Sequence, residues 1–157
     1  MRTPKVIFYG IAILTVLASS LALSATGTFK ATLTGKEEVP AVTTAAEGSA
    51  VFELSADGKA LAYVLTVKDI ENATAAHIHA GKVGENGGVV VGLFAGPKKE
   101  GKFSGELAKG TITADKLTGS LGGKTVADLV EMLRSGGAYV NVHTTRNPPG
   151  EIRGQVK

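Results

Sequence analysis

The sequence contains no cysteine and no tryptophan among its 157 residues. Without thiols the chain can form no disulfide bond, zinc ribbon or cysteine nucleophile. Aromatic residues make up only 5% of the composition, so we expect a core of Val, Leu, Ile and Ala with a few Phe. Glycine, by contrast, is abundant at 21 residues. That abundance favours turns between many short strands.

The distribution of charge argues against nucleic acid as a partner. The chain has 17 basic and 14 acidic residues, but Arg2 and Lys5 belong to a segment that we expect to be removed. The rest of the chain then carries 15 basic and 14 acidic residues, a nearly neutral balance. No basic block and no basic–aromatic interleaving occurs, so nucleic acid is not an expected partner. A serine elbow, a phosphate loop and an obvious acid–base carboxylate pair are also missing.

Residues 1–25 have the composition of an export signal. Two basic residues precede the almost wholly apolar stretch 6–23, which ends in small residues around Ala25. We therefore expect cleavage next to Ala25 and a secreted, periplasmic or cell-surface domain over residues 28–157. The alternative is an uncleaved anchor, because the apolar stretch approaches the roughly 20 residues that span a bilayer. A membrane would then be contacted only through this segment.

Alternation of apolar and polar residues predicts about eight short strands. The clearest pair is 49–55 and 61–67, because Asp57-Gly58 between them is typical of a tight hairpin turn. Residues 69–74 are polar and are predicted to be a connection. The other predicted strands are 28–33, 75–81, 89–94, 103–112, 138–144 and 151–156.

Residues 125–133 form the one convincing helix. Thr125 and Asp128 have the spacing of a capping box, and the apolar residues from Val126 to Leu133 share one face. Nine residues are too few for a stable isolated helix, so this one must pack on the sheet. Many short strands with one helix favour an all-β fold, an antiparallel β-sandwich or a small barrel.

All three histidines fall in predicted strands. His77 and His79 are two residues apart, so in an extended strand both side chains point to the same face. His143 lies in a later strand, where it shares a face with Tyr139 and Asn141. If the two strands are neighbours, the three imidazoles meet on one surface.

Three imidazoles on one surface predict a metal site. Imidazole suits copper and zinc, whereas the lack of thiolates and of a dense carboxylate cluster disfavours iron–sulfur, calcium and magnesium sites. We place copper first and zinc second. Each ligating ring needs an acceptor for its other nitrogen, and Asn141, Glu151 or a backbone carbonyl are candidates. The alternatives are that the histidines only stabilise the fold, or that they hold another ligand.

A second polar row lies near the C-terminus. Glu151, Arg153 and Gln155 share one face of the last predicted strand. The row predicts a solvated or ion-paired sheet face. The alternatives are that it binds a partner or supports His143. Glu38 and the acidic residue before it are predicted to lie in a turn.

Four blocks together resemble the CHRD domain, a family named for chordin and found in many exported microbial proteins. They are LTGKEEVP at 33–40, AHIHAG at 76–81, GGAYVNVHT at 136–144 and PGEIRGQ at 149–155. The resemblance extends from about residue 29 to the C-terminus. It implies a Greek-key sandwich of the immunoglobulin or superoxide dismutase type. It also implies an extracellular binding module. Together with the three histidines, this predicts a metal ion, an extracellular protein or both as its partner.

The His-Ile-His stretch also resembles the copper-binding His-Val-His strand of Cu/Zn superoxide dismutases, over a much shorter length. This implies a second alternative, a dismutase-like enzyme of the copper-only kind, since no bridging histidine, second metal cluster or disulfide is present. Such an enzyme would need a cation to guide its substrate, for which Arg146 and Arg153 are candidates. We favour a binding module over an enzyme.

Overall fold

The computed structural model describes residues 27–157. The predicted export signal therefore lies outside the described residues. No helix among the described residues is long and apolar enough to cross a membrane. The elements follow in the order β1 (Thr28–Thr34), β2 (Glu47–Leu54), β3 (Leu61–Ala80), β4 (Val89–Phe94), β5 (Lys99–Ile112), α1 (Val126–Arg134), β6 (Ala138–Thr144) and β7 (Ile152–Gln155).

The strands form one antiparallel sheet that closes on itself. Their order is β2-β1-β7-β6-β3-β4, with β5 also paired to β3, and β2 pairs with β3 as well. Five strands (β1, β2, β3, β6 and β7) thus form a closed barrel, and β4 and β5 are added to β3. The prediction of an all-β antiparallel fold with one short helix is confirmed. The described residues thus form seven strands, five in the barrel and two added to it. The sequence had predicted about eight strands in a Greek-key sandwich.

Strand β3 is the element that connects the two halves of the sheet. Its first half pairs with β2 and β5, and its second half pairs with β6 and β4. The connection predicted at residues 69–74 is wrong, because this segment continues the strand. Asp69 and Asn72 have positive φ values of 55° and 52° and lie where the register with β5 shifts. Such bulges bend and twist a strand without ending it.

The predicted hairpin and helix are both present. β2 and β3 pair in register from Glu47 with Lys68 to Leu54 with Leu61, and Gly58 takes the left-handed conformation in their turn. At the helix, Thr125 accepts a hydrogen bond from the Asp128 backbone N–H, and the Asp128 carboxylate accepts one from Thr125 N. The helix buries the face formed by Val126, Leu129, Val130 and Leu133.

The hydrophobic core lies inside the closed sheet and under the helix. As the alternation predicts, every second residue of β1 and β2 is buried, and the helix residues belong to the same cluster. Ile78, Val140 and Val142 of the two central strands are fully buried in this core. The residues between them therefore point to the other face of the sheet, where the histidines lie.

Candidate metal centre

The pairing of β3 with β6 brings the three histidines together. His77 lies opposite Asn141, His79 lies opposite Tyr139, and His143 lies opposite Ala75. Directly opposed residues of an antiparallel pair share a face, and diagonal neighbours are within reach of long side chains. One ring nitrogen from each histidine lies within 4.8 Å of the others. The meeting of the imidazoles that the strand pattern predicted is therefore present in the structure.

Backbone carbonyls set the protonation of two of the rings. His79 Nδ1 lies 2.8 Å from Gly87 O, and His143 Nδ1 lies 2.8 Å from Pro148 O. A carbonyl only accepts hydrogen bonds, so both Nδ1 atoms carry the proton and both Nε2 atoms are unprotonated acceptors. His77 Nδ1 donates to His143 Nε2 at 2.9 Å. His79 Nε2 is buried and has no hydrogen-bond partner.

Burial keeps the cluster neutral. Desolvation, together with the smaller effects of the neighbouring His143 and His79, lowers the pKa of His77 to about 4. Burial also lowers the pKa of His79 and of His143, although the bonds to Gly87 and Pro148 oppose these shifts. Near neutral pH the rings therefore present lone pairs instead of positive charges. This is the form in which imidazole binds a metal.

An aromatic and cationic stack lies behind His79. The Tyr139 ring stacks on His79 with centroids 5.0 Å apart, and the Arg153 guanidinium lies 3.4 Å from the centre of the Tyr139 ring. Arg153 also donates to Asn86 Oδ1 and to the carbonyls of residues 82 and 85, at 2.7–3.1 Å. It is only 2% exposed. The prediction of a solvated face for Arg153 is therefore wrong, and its guanidinium is not free to guide a substrate.

Glu151 acts on the loop that follows β6. Its carboxylate accepts hydrogen bonds from Thr44 Oγ1 (2.8 Å), Thr144 Oγ1 (2.6 Å) and Asn147 Nδ2 (3.1 Å). These bonds fix loop 145–150, whose Pro148 carbonyl accepts the hydrogen bond from His143 Nδ1. Neither Glu151 nor Asn141 holds the second nitrogen of a histidine. Of the acceptors proposed from the sequence, the backbone carbonyls serve this role.

Comparison with protein families decides the relationship. The family model of the CHRD domain matches residues 29–156. The chain belongs to the CHRD domain family. The match includes the helix and nearly all of the sheet, so the resemblance seen in the four sequence blocks is confirmed. No curated protein and no solved structure gives a significant match.

Glu38 is a buried residue of this CHRD domain that the sequence reasoning missed. It ends a short 3-10 turn, Gly35–Glu37, and is only 8% exposed. Its Oε1 has no partner, and burial raises its pKa to about 7 although Arg153 opposes the shift. A side chain at Gly150 would collide with the Glu38 carboxylate and the Asn141 amide. Glu38 thus packs beside Asn141, although no periodicity in the sequence marks it.

Arg146, the other guiding cation considered for an enzyme, lies away from the histidines of the CHRD domain. It is exposed and lines a polar cavity of about 540 Å³. Asn72, Lys102 and Glu151 also line this cavity, and none of the three histidines does. The cavity is therefore separate from the histidine cluster.

Proposed function

We propose that this CHRD domain is an exported binding module that holds one transition-metal ion, copper before zinc, through His77, His79 and His143. The carrying observation is that the three rings bring one nitrogen each within 4.8 Å of one another, while Nδ1–carbonyl bonds fix two of the rings and leave their Nε2 atoms unprotonated. A metal-binding histidine typically donates its other ring N–H to such an acceptor, because that bond fixes the ring and its tautomer.

The donor set supports copper as the first choice. The three rings offer imidazole nitrogens without a thiolate, which suits copper and zinc, and a given set of donors generally binds Cu(II) more tightly than Zn(II). His77 Nδ1 and His143 Nε2 share a hydrogen bond of 2.9 Å. On binding, the ion would replace the proton in that bond.

Export is part of the proposal and is supported by the N-terminal sequence. A basic start, the apolar stretch 6–23 and small residues around Ala25 are features of a secretory signal. The absence of cysteine means that the exported domain depends on its core and on any bound ion. We therefore propose a secreted, periplasmic or cell-surface location.

Titration of the purified domain, residues 28–157, with Cu(II) and Zn(II) tests the proposal. We expect one equivalent of Cu(II) to bind with sub-micromolar Kd. His79→Ala should weaken binding by more than the roughly 10–100-fold typical of losing a group that only supports a ligand. Lys102→Ala, an exposed position on β5, is the control and should bind like the wild type. Absence of binding by the wild type would refute the proposal.

A second candidate function is an extracellular protein-interaction module in which the histidines only stabilise the fold. It is favoured by the same Nδ1–carbonyl bonds, which tie loops 81–88 and 145–150 to the sheet. This candidate predicts that His79→Ala lowers the Tm while neither protein takes up metal. Metal titration and thermal unfolding of the same two proteins therefore separate the two functions.

A further inference from the structure

Three buried polar atoms near the histidine cluster lack a hydrogen-bond partner. Among the described residues, Glu38 Oε1, His79 Nε2 and Asn141 Oδ1 are in this condition. An unsatisfied buried acceptor is destabilising, and native proteins contain few of them. Such a grouping therefore points to something that the site is built to bind.

The orientation of the Asn141 amide is fixed by its nitrogen. Asn141 Nδ2 donates to Pro149 O at 3.3 Å. A flipped amide would place its oxygen against that carbonyl, so the nitrogen belongs where it is. Oδ1 is then held at the other side of the amide, in a side chain that is 3% exposed. Asn141 lies opposite His77 and two residues from His143 on the same face.

The unpaired atoms of Asn141 and His79 cannot satisfy each other. His79 donates through Nδ1 to Gly87 O, so its Nε2 is an acceptor, and a carbonyl oxygen is also an acceptor. Both atoms are buried on the same face of the paired strands β3 and β6. Two such acceptors can be satisfied together only by a proton donor or a cation.

We propose that Asn141 Oδ1 is a fourth ligand, an amide oxygen, of the metal ion bound by His77, His79 and His143. This inference rests on the proposed function. A cation placed there satisfies His79 Nε2 and Asn141 Oδ1 together. Three imidazole nitrogens with one oxygen are also a donor set that tetragonal Cu(II) accepts.

Two substitutions separate the role of the Asn141 oxygen from that of the hydrogen bond between Asn141 Nδ2 and Pro149 O. Asn141→Leu removes both the oxygen and the hydrogen bond to Pro149 O. Asn141→Asp keeps an oxygen in the same position but loses that bond. We expect Asn141→Leu to weaken Cu(II) binding at least 10-fold with the stoichiometry unchanged. Asn141→Asp should bind Cu(II) more tightly than Asn141→Leu, because it keeps an oxygen ligand, although its second oxygen lies against Pro149 O.

Two further measurements distinguish a ligand from a structural residue. The Cu(II) electron paramagnetic resonance spectrum should differ between the wild type and Asn141→Leu. The metal-free Tm of Asn141→Leu should stay at or above the wild-type value, because an unsatisfied acceptor is removed. Lys102→Ala, at an exposed position on β5, is again the control and should leave Cu(II) affinity unchanged.

The outcomes keep this inference separate from the proposed function. If the wild type binds Cu(II) and Asn141→Leu binds it equally well with the same spectrum, the fourth ligand is refuted and the three-histidine site stands. If both Asn141 variants bind weakly and both melt earlier without metal, Asn141 has only a structural role and the inference is again refuted. If the wild type binds no metal, the proposed function itself fails.

Discussion

At the scale of single residues, two backbone carbonyls fix the tautomers of His79 and His143. Gly87 O and Pro148 O each accept a hydrogen bond from a protonated Nδ1 atom, and the Nε2 atoms are therefore unprotonated. Both carbonyls belong to loops that come back over the sheet. Which nitrogen is available is therefore decided by residues outside the strands that carry His79 and His143.

Glu38 provides a prediction about stability at this scale. Its pKa is about 7 in the folded chain, raised by burial from an ordinary value of 4.5. Between these values the unfolded chain releases a proton that the folded chain retains, so stability falls as the pH rises from 4.5 to 7. We expect Glu38→Gln to be more stable than the wild type at pH 8, by on the order of 1–2 kcal/mol. At pH 4 the difference should disappear.

The adjacent Glu37 supplies the control for this prediction. Glu37 is exposed, so Glu37→Gln should leave the free energy of unfolding unchanged at both pH values. Urea unfolding at pH 4 and pH 8 gives the comparison. Equal stability of Glu38→Gln and the wild type at pH 8 would show that burial of this carboxylate is not destabilising.

The histidine cluster could be predicted from the sequence, whereas the burial of Glu38 and Arg153 could not. A period of two places His77 and His79 on one face, and the same rule applies to His143. The surroundings of Arg153 depend on contacts with Asn86 and the carbonyls of Lys82 and Glu85, about 70 residues away in the chain. No local pattern in the sequence encodes contacts at that separation.

At the scale of elements, β3 shows why the ends of the strand were predicted and its centre was not. The residues around Asp69 and Asn72 are polar, as in a turn. In the structure, β5 supplies partners for both: Ser104 Oγ accepts from Asp69 N, and Asn72 Oδ1 accepts from Gly101 N. These cross-strand bonds satisfy polar groups of Asp69 and Asn72 at the two bulges, so the strand bends there and continues. Tertiary pairing thus overrides the local turn preference.

At the scale of elements, we make a prediction about how much the N-terminal cap of helix α1 stabilises the protein. The capping box joins Thr125 and Asp128 through reciprocal hydrogen bonds. Thr125→Ala and Asp128→Ala should each destabilise the protein by about 1 kcal/mol. The double variant should lose less than the sum, because each change breaks the same pair of bonds. Chemical denaturation of the four proteins forms the double-mutant cycle.

Glu131→Ala is the matched control for the helix cap, since Glu131 is exposed within the same helix. It should change stability by less than about 0.5 kcal/mol. Strict additivity of the two cap substitutions would contradict the reciprocal arrangement. Metal affinity should be unaffected in all of these variants, because no residue of α1 belongs to the histidine cluster.

At the scale of the whole molecule, a metal ion would connect distant parts of the chain. His77 and His143 are 66 positions apart in the sequence, and they belong to strands that help close the barrel. A ligand that binds only the folded state stabilises it, by about 2.7 kcal/mol at a free concentration of 100 times Kd. A bound ion would thus take the cross-linking role that a disulfide has in other domains.

The pH dependence of the metal-free protein combines two buried groups of opposite sign. His77 has a pKa of about 4 in the folded chain against 6.5 normally. Below pH 6.5 the unfolded chain takes up a proton that the folded chain does not, so this contribution to stability is present above 6.5 and is lost as the pH falls towards 4. Glu38 acts in the opposite direction over nearly the same range. The wild-type profile between pH 4.5 and 6.5 should therefore be flatter than either group alone would give.

Removing Glu38 should expose the histidine contribution. In metal-free Glu38→Gln, we expect stability to decrease from pH 6.5 to pH 4 by on the order of 2 kcal/mol from His77, a figure reduced for its partial exposure. The lowered pKa values of His79 and His143 add in the same direction. Adding His77→Gln to this background should flatten the profile, as measured by urea unfolding in the presence of a chelator. An unchanged slope in the double variant would mean that His77 is protonated as easily in the folded chain as in the unfolded one. Burial would then not hold the cluster in the neutral form that a metal requires.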